Sequence, residues 1–311
     1  MKAAVTVCTE AAAPLERPPL ASLMAFRPRL ADYVQLTKPR IAVLVLFTVA
    51  AGALLAGGLR VNGLVLFHVL FGTALVAAGA SALNQFIERR FDARMARTEN
   101  RPLPAGRLLP AEALLFAALL GAGGVAYLAL TLPYWAALVA AATFALYVGV
   151  YTPLKRRTTL NTLVGAVPGA LPPLIGWAAV RGGLTWEALP LFLIVFLWQL
   201  PHFLAIAWIY RDQYARAGLR MQPVGDRTGR AAGWRMVGYC LALLAASLAP
   251  LAFGAGAVYA AGAALLGLGF LASAAAFLRA PSVPQARRVL RASLLYLPGV
   301  FVLLLLDAAL R

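Results

Sequence analysis

The chain has little charge and few of the residues that build soluble active sites. Of its 311 residues only 13% are charged, with 11 acids and two histidines, whereas 62% are apolar and the mean hydropathy is +0.80. A soluble domain is about a quarter charged and about half apolar, so this composition excludes an ordinary soluble protein. Cys8 and Cys240 lie far apart and form no CxxC motif. The sequence therefore contains neither a disulfide framework nor a cysteine-based zinc site.

The first forty residues lack the long apolar runs of the rest of the chain. They are polar and contain several prolines, and they lack the apolar core and small-residue cleavage site of a signal peptide. We expect residues 1–40 to form a mobile cytoplasmic tail. Residues 41–311 are expected to form a single transmembrane domain.

Long apolar runs dominate what remains. Nine of them reach the roughly 20 residues that a helix needs to cross a bilayer. The sequence therefore predicts an all-α integral membrane protein, with nine helices bundled around a central cavity that opens to the cytoplasmic side. The expected spans are 41–59, 64–87, 111–132, 134–152, 161–180, 187–210, 234–253, 255–278 and 290–310.

The basic residues support this topology. With the N-terminus in the cytoplasm, every one of the 28 lysines and arginines except Arg60, Arg181 and Arg311 falls on an inner segment. Inner loops of membrane proteins carry such an excess. The net charge of +17 is thus explained by topology and contact with lipid headgroups, and we expect no nucleic-acid partner. The expected location is a bacterial cytoplasmic membrane, with the mitochondrial inner membrane as the alternative.

The segment after the second span combines acids with arginines. Asn84, Glu88 and Asp92 stand at i, i+4 and i+8, which places them on one helical face. Oxygen ligands suit Mg²⁺, and guanidinium groups bind phosphate oxygens in pairs. The pattern therefore predicts a site for Mg²⁺ and a polyphosphate. The surrounding arginines are Arg89, Arg90, Arg94, Arg97, Arg101 and Arg107.

Two further inner segments contribute polar residues. After span six, His202 precedes Asp212 by ten residues, or about 15 Å of helix rise, so Asp212 lies at the inner mouth and His202 deeper. Arg211 flanks that acid. After span four, Lys155 and Arg156 either contact a diphosphate or form a simple stop-transfer cluster. Together these segments predict one pocket for a polyprenyl diphosphate.

Span five is interrupted by small and rigid residues. It contains Gly165, Gly169 and Gly176 together with Pro172 and a second proline directly after it. We expect a kinked, locally thin helix that a neighbour or a flat ligand approaches closely.

These motifs resemble the UbiA-type intramembrane prenyltransferases. The run N-x-x-x-E-x-x-x-D-x-x-M-x-R-T-x-x-R-P-L from Asn84 to Leu103 is similar to their first aspartate-rich motif, and more narrowly to that of the protohaem IX farnesyltransferases. The resemblance extends from about residue 30 to the end, through the YTPLKR, PPLIGW, WQLPHF and YRDQYARAG stretches. It implies Mg²⁺-dependent transfer of a farnesyl group from farnesyl diphosphate to a vinyl group of haem b, giving haem o and diphosphate.

The resemblance also implies roles for individual residues. The expected catalytic and metal-binding set is Asn84, Glu88, Asp92 and Asp212. The expected diphosphate-binding set is Arg97, Arg101, Lys155, Arg156 and Arg211. His202 is expected to bind haem, because a histidine inside a span is uncommon and neutral imidazole ligates haem iron. The alternative is a structural histidine that is hydrogen-bonded to a neighbouring helix. Candidates for shielding the allylic cation are Tyr147, Tyr151, Trp198 and Trp208.

The chain departs from the family pattern at three positions. Arg90 stands where many relatives carry an additional acid, Glu88 replaces the more usual aspartate, and Gln213 follows Asp212 where a second acid is frequent. Fewer oxygens are therefore available to metal ions.

Other functions share some of these features. A UbiA-type enzyme acting on an aromatic or quinone-precursor acceptor would have the same carboxylate pattern. A transporter would place ionisable groups near mid-bilayer, whereas here they crowd one mouth. A non-catalytic assembly factor would not need the intact carboxylate pattern. For the haem reaction, the expected partners are farnesyl diphosphate, haem b, membrane lipid, and a haem A synthase or oxidase assembly proteins.

Overall fold

The structure, a computed structural model, describes residues 26–226 and 228–310. Within these ranges the regular structure is helical, and nine segments are long and apolar enough to cross a bilayer, which confirms the predicted class and span count. In chain order the helices are α1 Phe26–Thr37, α2 Pro39–Ala56, α3 Gly63–Asp92, α4 Pro110–Thr131, α5 Tyr134–Ala145, α6 Thr152–Leu154, α7 Asn161–Ala170, α8 Pro172–Arg181, α9 Leu189–Ile209, α10 Arg211–Arg216, α11 Arg230–Leu248, α12 Ala257–Arg279 and α13 Val283–Ala309.

The helices extend beyond the apolar runs at several ends. The second span was predicted to end at residue 87, but α3 continues to Asp92. The ninth was predicted to begin at residue 290, but α13 begins at Val283. An apolar run marks only the part of a helix that lies in the lipid. The helical hydrogen bonds can continue beyond it into charged turns outside the bilayer. This extension of α3 carries the predicted carboxylate face as regular helix.

The joins between adjacent spans are short and well defined. α4 ends at Thr131 and α5 begins at Tyr134. At the other join Gly254 adopts φ +91°, a left-handed conformation that favours glycine, and ends the short helical turn Ala249–Phe253. The carboxylate of Asp307 on α13 accepts a hydrogen bond from the Gly256 backbone N–H at 2.8 Å, which ties this join to the last helix.

The last part of the segment expected to be a mobile tail is helical. Residues 1–25 lie outside the described residues, but Phe26–Thr37 is a helix packed on the bundle. Leu36 is fully buried, and Asp32 accepts a hydrogen bond from Arg107 at 2.8 Å. The segment is polar enough to resemble a tail, yet Leu36 and Asp32 lie on one helical face that meets the loop after α3.

Span five is broken, as predicted, and lies at the centre of the bundle. α7 and α8 meet at Leu171, and two-thirds of this span's most apolar window is buried, the largest share among the nine described spans. Gly176 explains the close approach of α2, because a Cβ there would lie 2.0 Å from the Val49 carbonyl oxygen. Gly165 similarly leaves room for the Tyr151 ring, 2.4 Å from where its Cβ would be.

Candidate active site

The predicted carboxylate face forms on α3. Asn84 and Asp92 are buried, with 1% and 2% of their surfaces exposed, and the Glu88 side chain between them is 14% exposed. Because α3 is regular through Asp92, the three side chains stack along one face, and we refer to them as the ladder. Buried carboxylates need partners, since an isolated buried charge is costly.

Each ladder residue has a cationic partner from a different segment. Lys38 donates from Nζ to Asn84 Oδ1 at 2.9 Å, and Lys155 donates from Nζ to Glu88 Oε1 at 2.7 Å. Arg101 donates from Nη1 to Asp92 Oδ2 at 2.6 Å. Three cations from three parts of the chain thus converge on one helical face.

Sequence reasoning missed Lys38, which comes 46 residues before its partner Asn84. Its backbone φ of +52° is unusual for a non-glycine residue, and it stands at the start of α2 just before Pro39. Strained backbone of this kind is frequent at functional sites. The Lys38-Pro39 pair at the start of the first span is the sequence feature that could have marked Lys38 as a site residue.

The two lysines differ in protonation. Burial, assisted by the charges of Arg101 and Lys155, lowers the pKa of Lys38 to about 7. Burial also opposes the charge of Lys155, but the Glu88 carboxylate and the neighbouring Tyr151 outweigh it, so the pKa of Lys155 is raised above its ordinary value. Lys155 is therefore a permanent cation beside the ladder.

A helical irregularity positions the residues opposite the ladder. After α5 the chain forms a π-helical turn, Leu146–Tyr151, and such turns occur frequently at functional sites. Asn84 donates from Nδ2 to the Thr152 hydroxyl at 3.2 Å. The Lys155 ammonium lies 4.5 Å from the centre of the Tyr151 ring, and the Tyr147 and Tyr151 rings lie 5.5 Å apart. Two of the four predicted aromatic residues therefore adjoin the ladder.

The loop that carries Lys155 is fixed by residues from two other segments. The Arg220 backbone N–H donates to the Lys155 carbonyl at 2.9 Å. Asn161 is fully buried, and its amide donates to the Arg220 carbonyl at 2.8 Å. Asn161 and Arg220 thus position Lys155 without touching the ladder.

The segments after α3 and after α9 meet through Arg97. Its guanidinium donates to the Tyr214 hydroxyl at 3.2 Å and lies 4.7 Å from the centre of the Tyr210 ring. Its backbone N–H donates to Gln213 Oε1 at 3.3 Å. The expected meeting of the two segments occurs, but through aromatic and amide side chains.

Asp212 lies apart from the ladder. Its side chain is 81% exposed, and its carboxylate lies 3.7 Å from Arg211, whose guanidinium stacks on Trp208 at 4.3 Å. α9 ends at Ile209, and α10 begins after a turn at Tyr210. Tyr214 is buried and Tyr210 half-buried, whereas Asp212, midway between them, is exposed.

The diphosphate-binding candidates are likewise divided. Lys155 and Arg101 contact the ladder, and Arg97 lies between the two segments. Arg156 instead lies over the Phe91 ring at 4.6 Å, and it is exposed. The ladder thus has a smaller cationic set than predicted, supplemented by Lys38.

The ladder has a donor set that fits Mg²⁺. Two carboxylates and one amide oxygen share a face, and Mg²⁺ characteristically binds one or two carboxylates while keeping waters and substrate phosphates as its other ligands. Within the described ranges no group of three histidine, cysteine, aspartate or glutamate side chains is placed to hold a metal. A metal here would therefore depend on Asn84 and on substrate oxygens.

His202 lies elsewhere in the bundle, between α9 and α13. Its Nδ1 lies 2.7 Å from Ser293 Oγ, and its ring stacks on Trp198 with centroids 5.0 Å apart. Ser293 donates its single hydroxyl hydrogen to the Leu290 carbonyl at 2.7 Å. Because that hydrogen is used, Ser293 accepts from Nδ1–H of His202, which leaves the lone pair on Nε2. Neutral imidazole with a free nitrogen can ligate a metal.

Nine helical spans among the described residues, with carboxylates and cations gathered at one end of α3, form the architecture of an intramembrane prenyltransferase. The chain belongs to the UbiA prenyltransferase family, whose model matches residues 45–297. This match confirms the resemblance found in the sequence.

Relatives and solved structures agree with this assignment. The protein named protoheme IX farnesyltransferase from Solibacter usitatus (strain Ellin6076) is 46% identical over 286 residues, covering 89% of this chain and 98% of that protein. Its namesake from Myxococcus xanthus (strain DK1622) is 45% identical over 282 residues, covering 89% and 94%. A UbiA homolog from Archaeoglobus fulgidus bound to DMAPP and Mg²⁺ superposes with a TM-score of 0.63 at 14% identity, covering 88% of this chain and 99% of that one. A structure of digeranylgeranylglyceryl phosphate synthase superposes with 0.76 at 17% identity, covering 91% and 100%.

Proposed function

We propose that the protein transfers a farnesyl group from farnesyl diphosphate to a vinyl group of haem b, giving haem o and diphosphate. The donor side of this proposal rests on Arg101 and Lys155, which place two permanent cations beside the metal-binding oxygens of the ladder, with the Lys38 amine next to them. The acceptor half is supported by relatives that bear the name protoheme IX farnesyltransferase at 40–46% identity over most of the chain.

The ladder would activate the prenyl donor. Asn84, Glu88 and Asp92 would hold Mg²⁺, which when bound neutralises charge on the departing diphosphate. Lys155 and Arg101 donate to the diphosphate oxygens as the allylic C–O bond breaks. Arg97, between the two segments, is also proposed to bind the diphosphate. Asp212 and Arg211 would add to metal and diphosphate binding only if α10 closed onto the ladder, and Arg156, expected to bind the diphosphate, instead lies over the Phe91 ring.

Bond formation between the haem vinyl group and the farnesyl group requires no general base, because the vinyl group loses no proton before it attacks. The vinyl group supplies the electron pair for the new C–C bond to the farnesyl C1, and water then adds to the resulting cation on haem and loses a proton, giving the hydroxyl group. Tyr147 and Tyr151 face the ladder and stabilise the allylic cation through their ring faces. Exclusion of bulk water at the buried ladder prevents simple hydrolysis of the donor.

His202 is the proposed haem ligand. Its Nδ1 is fixed by Ser293 and its ring by Trp198, so the lone pair of Nε2 is available to iron. A histidine set apart from the ladder would hold the acceptor while the ladder holds the donor.

We also propose a location and partners. The N-terminus and the ladder end of the bundle face the cytoplasm of a bacterial cell, because nearly all basic residues lie on that side of the nine spans. Residues 41–311 are proposed to act as one prenyltransferase domain, to which α1 and Lys38 add contacts from the preceding segment. The product would be passed to a haem A synthase or to oxidase assembly proteins.

The test is expression in cells that lack haem o, followed by mass spectrometry of extracted haem. We expect a mass increase corresponding to a farnesyl group plus a hydroxyl group, and its loss in the Asp92→Asn protein. Unmodified haem together with a prenylated aromatic or quinone precursor would instead assign the enzyme to another acceptor.

A further inference from the structure

A second basic site lies on α3, turned away from the ladder. Four arginines line a cavity of about 530 Å³, and within the described part of the chain none of them forms an ion pair with a carboxylate. Arg90 lies roughly 160° around the helix from Glu88, because two residues of an α-helix turn by about 200°. We call this site the arginine pocket; it is formed by Ile87, Arg89, Arg90, Phe91, Arg94 and Arg156.

Three of the four guanidinium groups of this pocket lie against aromatic rings. Those of Arg156 and Arg94 lie 4.6 Å and 6.0 Å from the centre of the Phe91 ring. That of Arg89 lies 4.4 Å from the centre of the Phe86 ring and donates to the Phe86 carbonyl at 2.7 Å. Stacking fixes the side chains while leaving their charges uncompensated. Such an array is prepared for an anion, since guanidinium groups bind phosphate oxygens in a fork geometry.

An apolar groove adjoins the arginine pocket. Leu83 of the groove and Ile87 of the pocket are four residues apart on the same face of α3, which separates them by about 6 Å along the helix. Ala118 and Ala122 of α4 are exposed, so the groove opens on the outside of the bundle. Its volume is about 540 Å³, and it is lined by Leu83, Ala118, Gly121, Ala122, Val125, Ala126, Ala141 and Phe144.

We propose that the arginine pocket and the apolar groove together bind an anionic phospholipid, with its phosphate on the arginines and an acyl chain in the groove. The charge and the apolar lining are complementary to the two halves of such a lipid, and basic pockets between membrane helices recognise anionic headgroups. The pocket has no carboxylate in its lining, so it lacks the means to hold the Mg²⁺ that accompanies a diphosphate. A phosphodiester needs no metal, which favours a phospholipid over a prenyl diphosphate.

The test uses full-length protein in mild detergent, stripped of lipid and titrated with dioleoylphosphatidylglycerol or dioleoylphosphatidylcholine under native mass spectrometry. We expect saturable binding of the anionic lipid to the parent protein. In an Arg90→Gln/Arg94→Gln protein the affinity for this lipid should fall by about tenfold or more. Arg287→Gln/Arg288→Gln is the matched control, because these arginines are exposed at the same end of the bundle on α13.

A second pair of variants tests the groove without changing charge. Ala122→Phe fills the groove and should weaken binding of the anionic lipid, whereas Ala261→Phe, an exposed position on α12, should not. Equal affinity for the two lipids, or equal losses in test and control proteins, would overturn the proposal. The proposal would also be overturned if farnesyl diphosphate displaced the lipid, or if the groove variant abolished a dimer. The first result would assign the site to the prenyl donor, and the second would assign it to another copy of the chain.

Discussion

The Lys155 ammonium lies 2.7 Å from Glu88 Oε1, and both side chains are about 15% exposed. This ion pair connects the loop after α6 to the middle of the ladder. A metal held by Glu88 would free Lys155 to bind the diphosphate, so this one contact would link metal binding to donor binding.

Lys155→Gln should raise the KM for farnesyl diphosphate by about tenfold or more, because it removes a charge-assisted hydrogen bond and leaves Glu88 without its cation. Lys155→Arg should retain most of the affinity. Steady-state transfer to haem b at varied farnesyl diphosphate measures both. An unchanged KM in the glutamine protein would contradict the assignment of Lys155 to the donor.

Asp92→Asn should lower transfer by about 100-fold or more while leaving membrane insertion intact, since a buried carboxylate at the ladder is replaced by a neutral isostere. Glu187→Gln is the control, because Glu187 is exposed in the loop before α9. Haem o is quantified by mass spectrometry and insertion by size-exclusion profile. Undiminished haem o in the asparagine protein would remove Asp92 from the metal site.

Asp212→Asn tests whether Asp212 is a metal ligand, as the sequence motif predicts, or lies outside the metal site, as its exposed position indicates. The Asp212 side chain is 81% exposed and paired with Arg211, so its loss should cost far less transfer than the loss of Asp92. The measurement is kcat for the two variants over a range of Mg²⁺ concentrations. Equal losses with a shared shift in Mg²⁺ dependence would mean that α10 closes onto the ladder when substrate binds.

His202→Ala should weaken haem b binding more than farnesyl diphosphate binding, as followed by the haem Soret band and by donor titration. Ser293→Ala should change the Soret band by releasing Nδ1, and Ser293→Thr should restore it. Ser273→Ala is the matched control, because Ser273 makes the same intrahelical bond to Phe270 without a histidine. Equal loss of both ligands in the alanine protein would exclude a haem role for His202.

Gly176→Ala should destabilise the bundle by about 1–3 kcal/mol, because its Cβ would lie 2.0 Å from the Val49 carbonyl oxygen. Gly123→Ala on α4 should be tolerated, since nothing lies within 4 Å of its Cβ position. Thermal unfolding in detergent compares the two. A Gly176→Ala protein as stable as the parent would mean that α2 and α8 separate easily.

The sequence predicted the structural features that depend only on residues close together in the chain. Nine apolar runs gave the spans, and the spacing of Asn84, Glu88 and Asp92 gave the ladder, because helical periodicity alone decides both. The kink between α7 and α8 followed from proline chemistry in the same way.

Contacts between residues that are far apart in sequence could not be predicted from such local patterns. Lys38 meets Asn84 across 46 residues, a contact that only the packing of α2 on α3 creates. The direction of Asp212 depends on a turn at Tyr210, where helix periodicity stops applying. The docking of α1 depends on Arg107 and Asp32, which are far apart in sequence.

The position of α1 limits where the chain can be shortened. Deleting everything before the first apolar run would remove the Asp32 contact to Arg107 and the Arg29 contact to Glu112, which hold the end of the loop between α3 and α4 and the first turn of α4. It would also remove Lys38 from Asn84. A protein trimmed at residue 25 keeps all three contacts, whereas one trimmed at residue 40 would insert into a bilayer with Asn84 lacking its lysine partner.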